Sequence, residues 1–145
     1  MSNKVRSSNA KSIGMTNDKA QMSNELERAN DKKQYDLEER TAQFGEAVIE
    51  LVKTVRQDAI NGPLISQIVR AATSVGANYM EADGAESKKD FQHKISICKK
   101  EAKETKHWLR MIAKANPGRL AECETLSREA QELSLIFSSI LLPKK

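Results

Sequence analysis

The sequence predicts an all-α protein: an antiparallel, up-down-up-down four-helix bundle preceded by a disordered N-terminal arm. Helix-forming residues dominate the later three quarters of the chain, aromatic residues make up only 4%, and glycine and proline number six and three. Apolar residues also recur at three- and four-residue spacing between short turn signals. Short turns between long helices place consecutive helices side by side and antiparallel.

The first 34 residues are predicted to be the disordered arm. They mix polar residues with scattered apolar ones at no sustained period, which cannot offset the entropy cost of ordering the chain. Seven basic and four acidic residues give this arm a charge of +3. A mobile arm that contacts nucleic acid and a plain solvated tail both remain open. Residues 35–145 are predicted to form one bundle domain.

The first predicted helix begins at Asp36. Asp36 and Glu39 have the spacing of a capping box, in which each side chain satisfies a free backbone N–H group. The helix is expected to continue to about Asp58. Its apolar face is Phe44, Val48, Leu51, Val52 and Val55.

The second predicted helix follows an Asn-Gly-Pro turn. Gly62 is expected to lie between the helices, and Pro63 at the first helical position, where its missing N–H group costs nothing. The segment from Pro63 to Met80 contains one charged residue, Arg70, so we expect this helix to be buried on most sides. Its small residues allow a close approach by a neighbour in the same chain or in another subunit.

The third and fourth predicted helices have clear boundaries. Gly84 ends the second helix, and Ser87 is the expected N-cap of a third helix that runs to about Ala115. The Asn-Pro-Gly sequence at 116–118 separates it from a fourth amphipathic helix, which Pro143 closes.

A strongly basic segment lies between more acidic ones. Residues 87–115 carry nine basic and three acidic residues, whereas the whole chain has a net charge of +4. At 100° per residue, six of the cations fall within about 80° of one another, beside the apolar stripe. We call them the basic ridge: Lys88, Lys99, Lys103, Lys106, Arg110 and Lys114.

Two interpretations of the basic ridge are open. Its cations could follow the phosphates of RNA or DNA and release counterions on binding. Alternatively, the ridge is a solvated face whose lysines pair with acidic residues of adjacent helices or with Glu101 and Glu104. Few aromatic residues are available to stack bases, so sequence-specific recognition of single strands is not expected.

No catalytic residue, metal site or cofactor is predicted. Glu104-x-x-His107 has the spacing used in di-iron bundles, and Asp90-x-x-His93 is a weaker version of it. Both motifs lie on one helix, with their histidines away from the apolar stripe, whereas such a site needs ligands from facing helices. No catalytic sequence motif occurs, so the protein is not expected to be an enzyme.

The two cysteines and the overall hydropathy predict a cytoplasmic protein. Cys98 and Cys123 lie in helical patterns without metal-ligand spacing, so they are expected to be buried free thiols in a reducing compartment. No apolar stretch has the length of a membrane span. Trp108 lies on a flank of the third helix, where ordinary packing and an anchor at a subunit interface are both open.

Several segments of the sequence together resemble the bacterial four-helix bundle proteins encoded in intervening sequences of large-subunit ribosomal RNA genes. The segments are YDLEERT at 35–41, TSVGANY at 73–79, EA at 81–82, GAES at 84–87, DF at 90–91, KEAKET at 100–105 and WL at 108–109. The resemblance spans residues 35 to about 142. That family is similar in fold to the accessory proteins of diversity-generating retroelements, which form pentameric barrels and associate with nucleic acid and a reverse transcriptase.

The resemblance implies a non-enzymatic homopentamer with a basic surface. Combined with the ridge, it gives our leading prediction, an oligomer that binds RNA or DNA non-specifically, with a reverse transcriptase as a further partner. The rival prediction is a protein-interaction scaffold, or a reverse-transcriptase accessory subunit, without nucleic-acid binding of its own. The residues assigned to the oligomer interface are Gly76, Ala77, Tyr79 and Trp108.

Overall fold

The computed structural model describes residues 37–143, which form four α-helices and one short 3₁₀ helix. Helix α1 spans Leu37–Lys53, α2 Asn61–Asp83, α3 Lys88–Ala115 and α4 Leu120–Leu141, and the 3₁₀ helix spans Pro117–Arg119. Each helix packs on the next, and α1 also contacts α4. The predicted all-α, up-down-up-down bundle is therefore confirmed. The predicted arm at 1–34 and the capping box at Asp36 lie outside the described residues.

The core contains the apolar face predicted for each helix. The five apolar residues predicted for the first helix are all buried, as are the centres of the stripes of α3 and α4. No buried side-chain nitrogen or oxygen in the described part of the chain lacks a hydrogen-bond partner. The largest fully buried apolar side chains are Leu37, Val48, Ile68, Val75, Ile95, Leu109, Ile112, Leu133 and Phe137.

Helix α1 ends five residues earlier than predicted. The N–H groups of Thr54 and Val55 donate to carbonyls three residues back, and the Thr54 hydroxyl donates to the Leu51 carbonyl at 2.6 Å. This tightens the last turn and ends the helix. Val55 nevertheless remains in the core, 7% exposed, so its apolar spacing extended the predicted helix beyond the real end.

Helix α2 begins at Asn61, not at Pro63, so the prediction that Gly62 lies between the helices is wrong. The N–H groups of Ile60 and Asn61 donate to Asp58 Oδ1 at 3.0 and 2.7 Å. The carboxylate thereby satisfies backbone donors that a helix start leaves free, two residues ahead of the proline. Pro63 occupies the first turn, where its missing N–H group is not needed.

The predicted boundaries of α3 are confirmed. The N–H group of Asp90 donates to Ser87 Oγ at 3.0 Å, which makes Ser87 the N-cap. The helix ends at Ala115 with Asn116 as its C-cap. Its 28 residues give a length of about 42 Å, so α3 is the longest helix among the described residues.

Helix α2 is less buried within the chain than its low charge predicts. Ile68, Ala72 and Val75 face the core, but Ala77 is exposed and Met80 is 59% exposed. The expectation of burial on most sides is therefore wrong for the single chain. The helix keeps one open face with little charge.

Candidate nucleic-acid interface

The basic ridge lies along one side of α3. Lys88, Lys103, Arg110 and Lys114 are exposed, and the other two ridge residues are half-buried. From the first residue to the last, the ridge covers 26 helical steps, or about 39 Å at 1.5 Å per residue. Its cations therefore form a row long enough to reach several phosphates of a nucleic-acid strand.

None of the six ridge cations forms a salt bridge with another residue in the range 37–143. Lys106 Nζ donates to the neutral amide oxygen of Gln131 at 2.6 Å, which links the ridge to α4 without reducing its charge. The positive charge of the ridge is thus not neutralised by the carboxylates that the structure describes.

The two carboxylates that could have neutralised the ridge pair with Arg70 of α2 instead. Arg70 Nη1 lies 3.3 Å from Glu101 Oε1, and Arg70 Nη2 contacts Glu104. Glu104 Oε2 also accepts a hydrogen bond from Trp108 Nε1 at 3.0 Å. Glu101 is only 8% exposed, and Ser74 Oγ donates to it at 3.4 Å.

This arrangement separates the charges of α3 into two flanks. The flank towards α2 carries Glu101, Glu104 and their guanidinium partner, whereas the flank towards α4 carries the ridge. Local i,i+3 and i,i+4 pairing between these glutamates and ridge lysines, one of the alternatives left open by the sequence, does not occur in the structure.

Other acidic residues are also paired away from the ridge. Arg40 of α1 contacts Glu129 and Glu132 of α4 at 2.8 and 3.2 Å, and its hydrogen bond to Glu129 is the main cause of a raised pKa. Lys94 Nζ lies 2.8 Å from Glu81, whose hydrogen bond raises the Lys94 pKa. These bridges join helix pairs and leave the ridge side of α3 basic.

The four residues assigned to an oligomer interface differ in exposure and in what they contact within the chain. Gly76 faces α1 of the same chain: a Cβ atom there would lie 3.4 Å from the Thr41 backbone. Ala77 is exposed. Tyr79 and Trp108 are half-buried and pack against the core, and burial raises the pKa of the Tyr79 phenol. The assignment of these four residues to an interface stays a prediction.

The histidines and cysteines take separate positions. His93 and His107 are exposed, and the His107 ring meets the Trp108 ring edge-to-face with centroids 5.0 Å apart. Residues 37–143 contain no group of three or more His, Cys, Asp or Glu side chains placed to share a metal ion. Cys98 and Cys123 are buried free thiols, and burial raises the Cys98 pKa to about 12.

Two features of this region were missed by the sequence analysis. The first is the role of Arg70, which is 31 residues from Glu101 in the chain and gives no local pairing signal. The second is a groove of about 630 Å³ between α3 and α4, into which Lys106, Arg110 and Lys114 face. The groove depends on the distance and angle between two helices, which the spacing of apolar residues along one helix does not determine.

Among the described helices, none has the length and apolar character needed to cross a membrane.

Comparison with known proteins identifies the family. A search of curated proteins found no significant match. The fold is similar to the 1.70 Å crystal structure of a protein of unknown function from the S23 ribosomal protein family of Bacteroides thetaiotaomicron VPI-5482. The TM-score is 0.65 with 27% identity, over 74% of this chain and 99% of that one. The family profile named 23S rRNA-intervening sequence protein matches residues 33–139, and the chain belongs to this family.

Proposed function

We propose that the protein is a non-enzymatic homo-oligomer, a pentamer, that binds RNA or DNA through the basic ridge of α3. The observation that carries the proposal is the unneutralised ridge. Six cations share one flank of a helix without a salt bridge to any residue of the described range, while Glu101 and Glu104 are held by Arg70 on the other flank. A row of free cations binds a polyanion by releasing its condensed counterions.

The proposed binding is non-specific in sequence. The ridge consists of Lys and Arg side chains, which contact phosphates, and the nearby Trp108 donates its indole N–H to Glu104 on the opposite flank. Among residues 37–143, no Trp, Tyr or Phe side chain belongs to the ridge, where it could stack a base. Repeating the ridge around a ring of subunits would combine weak contacts into useful avidity.

The test replaces four ridge cations, Lys99, Lys103, Lys106 and Arg110, with Gln. Binding to duplex DNA, structured RNA and single strands is measured at two or three salt concentrations for the wild type and the quadruple variant. Affinity should fall for all sequences alike, and the slope of log affinity against log salt should flatten by roughly one for each lost phosphate contact. Wild type that binds none of these nucleic acids at low salt would overturn the proposal.

A matched pair of variants separates a ridge effect from a change in net charge. Lys103→Gln with Arg110→Gln removes two charges from the ridge, and Lys53→Gln with Arg56→Gln removes two from the end of α1 and the turn that follows it. All four positions are exposed, so both variants should keep the wild-type fold. Only the ridge pair should flatten the salt slope. Equal losses in both variants would mean that total charge, not the ridge, attracts the nucleic acid.

A protein-interaction scaffold, or a reverse-transcriptase accessory subunit without nucleic-acid binding of its own, is the second candidate. The open face of α2 supports it, because Ala77 and the 59% exposed Met80 leave apolar surface uncovered on a helix with little charge. This function predicts that the ridge variants change solubility and leave partner binding intact. Wild-type binding to nucleic acid with a steep salt slope would favour the first candidate.

A further inference from the structure

The groove between α3 and α4 has walls of different chemistry. Its volume is about 630 Å³, and its floor is largely apolar. The α3 wall carries Lys106, Arg110 and Lys114, and Glu124 is the one carboxylate that lines it. We call this the cationic groove. The apolar side chains that line it are Leu109, Ala113, Pro117, Leu120 and Cys123.

The charge of the cationic groove is unbalanced. Three cations face one carboxylate, and none of the three forms a salt bridge with a residue of the described range. Lys106 is held by the neutral Gln131 side chain. Arg110 and Lys114 make no side-chain hydrogen bond to any residue of 37–143. Their N–H donors are therefore available to an anion at the rim of an apolar surface.

We propose that the cationic groove binds a small, free organic anion: a carboxylate or sulfonate attached to an apolar body about the size of naphthalene. The apolar body would cover Ala113, Pro117 and Leu120, and the anionic group would meet Arg110, whose planar fork suits a two-oxygen acceptor. The volume lies within the range of about 300–1,000 Å³ typical of small-molecule sites.

Charge argues against the first 34 residues as the occupant, because they carry a net +3. Like charges would place a basic segment unfavourably beside Arg110 and Lys114. A neutral apolar ligand would cover the floor but leave the donors of the α3 wall unused. An amphiphilic anion satisfies both parts of the groove.

The test uses the fluorescent probe 8-anilinonaphthalene-1-sulfonate with the full-length protein. Its fluorescence should rise and saturate in the micromolar range, decanoate should displace it, and decyltrimethylammonium should not. Arg110→Gln should weaken probe binding about ten-fold or more, because a hydrogen bond to a charged group is lost. Ala113→Trp, which fills the groove and keeps every cation, should abolish saturable binding.

Further variants guard the test against misfolding and separate it from nucleic-acid binding. Ser127→Phe fills the groove from the α4 side and should also abolish probe binding, with an unchanged helical circular dichroism spectrum. Lys103→Gln lies outside the groove, so it should weaken nucleic-acid binding and leave the probe affinity unchanged. Ala113→Trp should abolish probe binding and leave nucleic-acid binding unchanged. Unsaturable fluorescence, or equal probe affinity in wild type, Arg110→Gln and both filled variants, would overturn the proposal.

Discussion

Gly45 shows how the contact between α1 and α2 uses a small residue without needing a glycine. A Cβ atom at Gly45 would lie 3.5 Å from both the Ala72 carbonyl oxygen and the Thr73 Cα, which is ordinary van der Waals contact. Glycine in a helix interior costs roughly 1 kcal/mol relative to alanine. The position therefore carries a backbone entropy cost that an alanine would remove.

We expect Gly45→Ala to raise the free energy of unfolding by up to about 1 kcal/mol. Gly45→Leu should lower it instead, because the larger side chain must push the α2 backbone away. Urea unfolding followed by circular dichroism measures both changes. A loss of stability in Gly45→Ala would show that the two helices pack more tightly at this point than the structure indicates.

The buried Cys98 thiol predicts a loss of stability at alkaline pH. Burial raises its pKa to about 12, and the thiol donates to the Val75 carbonyl at 3.5 Å. An unfolded cysteine ionises near its ordinary pKa of about 8.5, so above this pH the unfolded state gains stability while the folded state keeps its proton. The contribution of the protonated Cys98 thiol to the free energy of unfolding is complete below about pH 8.5 and is lost as the pH rises towards 12.

Between pH 9 and 11, wild-type stability should fall by up to about 1.4 kcal/mol per pH unit from Cys98 alone. Cys98→Ala removes this ionisation, so its stability should fall less steeply over the same range, although its stability at pH 7 is lower because a buried sulfur is lost. Urea midpoints measured at several pH values give both slopes. Parallel slopes for the two proteins would contradict the prediction.

At the scale of the helices, the sequence predicted the ends that depend on neighbouring residues. The N-cap at Ser87 and the stop at Gly84 use hydrogen bonds to residues at most four positions away, and both are confirmed. The start of α2 was misplaced because Asp58 accepts two backbone N–H groups from outside the helix. Pro63, two residues later, is a strong sequence indication of a helix start, but the hydrogen bonds to Asp58 allow the helix to begin earlier.

A pair of amides joins the start of α2 to the end of α3, which are distant in sequence. Asn61 Nδ2 donates to Asn116 Oδ1 at 3.1 Å, and Asn116 Nδ2 donates to Asn61 Oδ1 at 2.9 Å. Asn61 is 3% exposed and also donates to the Arg56 carbonyl at 2.9 Å. The pair therefore fixes the turn between α1 and α2 against the far end of α3.

Asn116→Ala should destabilise the bundle by about 1–3 kcal/mol, because it leaves the buried amide oxygen of Asn61 without its hydrogen-bond donor. In a double-mutant cycle with Asn61→Ala, the coupling energy should be at least about 0.5 kcal/mol. Asn78→Ala is the matched control, since within residues 37–143 the Asn78 side chain bonds only to Ser74 of its own helix. A coupling energy near zero would show that the two amides contribute independently.

For the whole molecule, the spacing of apolar residues predicted the fold, but it did not predict which surface charges are paired. The positions of the ridge cations were predicted from their angular spacing, because a helix fixes that spacing. Whether their charge is neutralised depends on Arg70, which reaches Glu101 and Glu104 from another helix. Pairing across helices depends on their relative rotation, and no pattern along one helix contains that information.

The open face of α2 leads to a prediction about assembly. Ala77 and Met80 are exposed, and Arg70 is the one charged residue between positions 63 and 80. A face with so little charge, which also exposes a methionine, is a candidate for a surface that another protein covers, and a ring of identical subunits is one way to cover it. The proposed pentamer would have a mass of about 81 kDa, five times the 16.2 kDa chain.

Light scattering coupled to size exclusion should therefore give a mass near the pentamer at micromolar concentration. Ala77→Glu with Met80→Glu should shift the protein towards the monomer without unfolding it, because both side chains are already exposed in the single chain. Ser139→Glu with Leu135→Glu places the same two charges on exposed positions of α4 and serves as the control. A monomeric wild type would contradict the proposed oligomer, whereas a dimeric wild type would contradict only the proposed number of five subunits. If the α4 variant dissociates while the α2 variant stays assembled, subunits meet through α4, and the ridge beside it would be covered in the assembly.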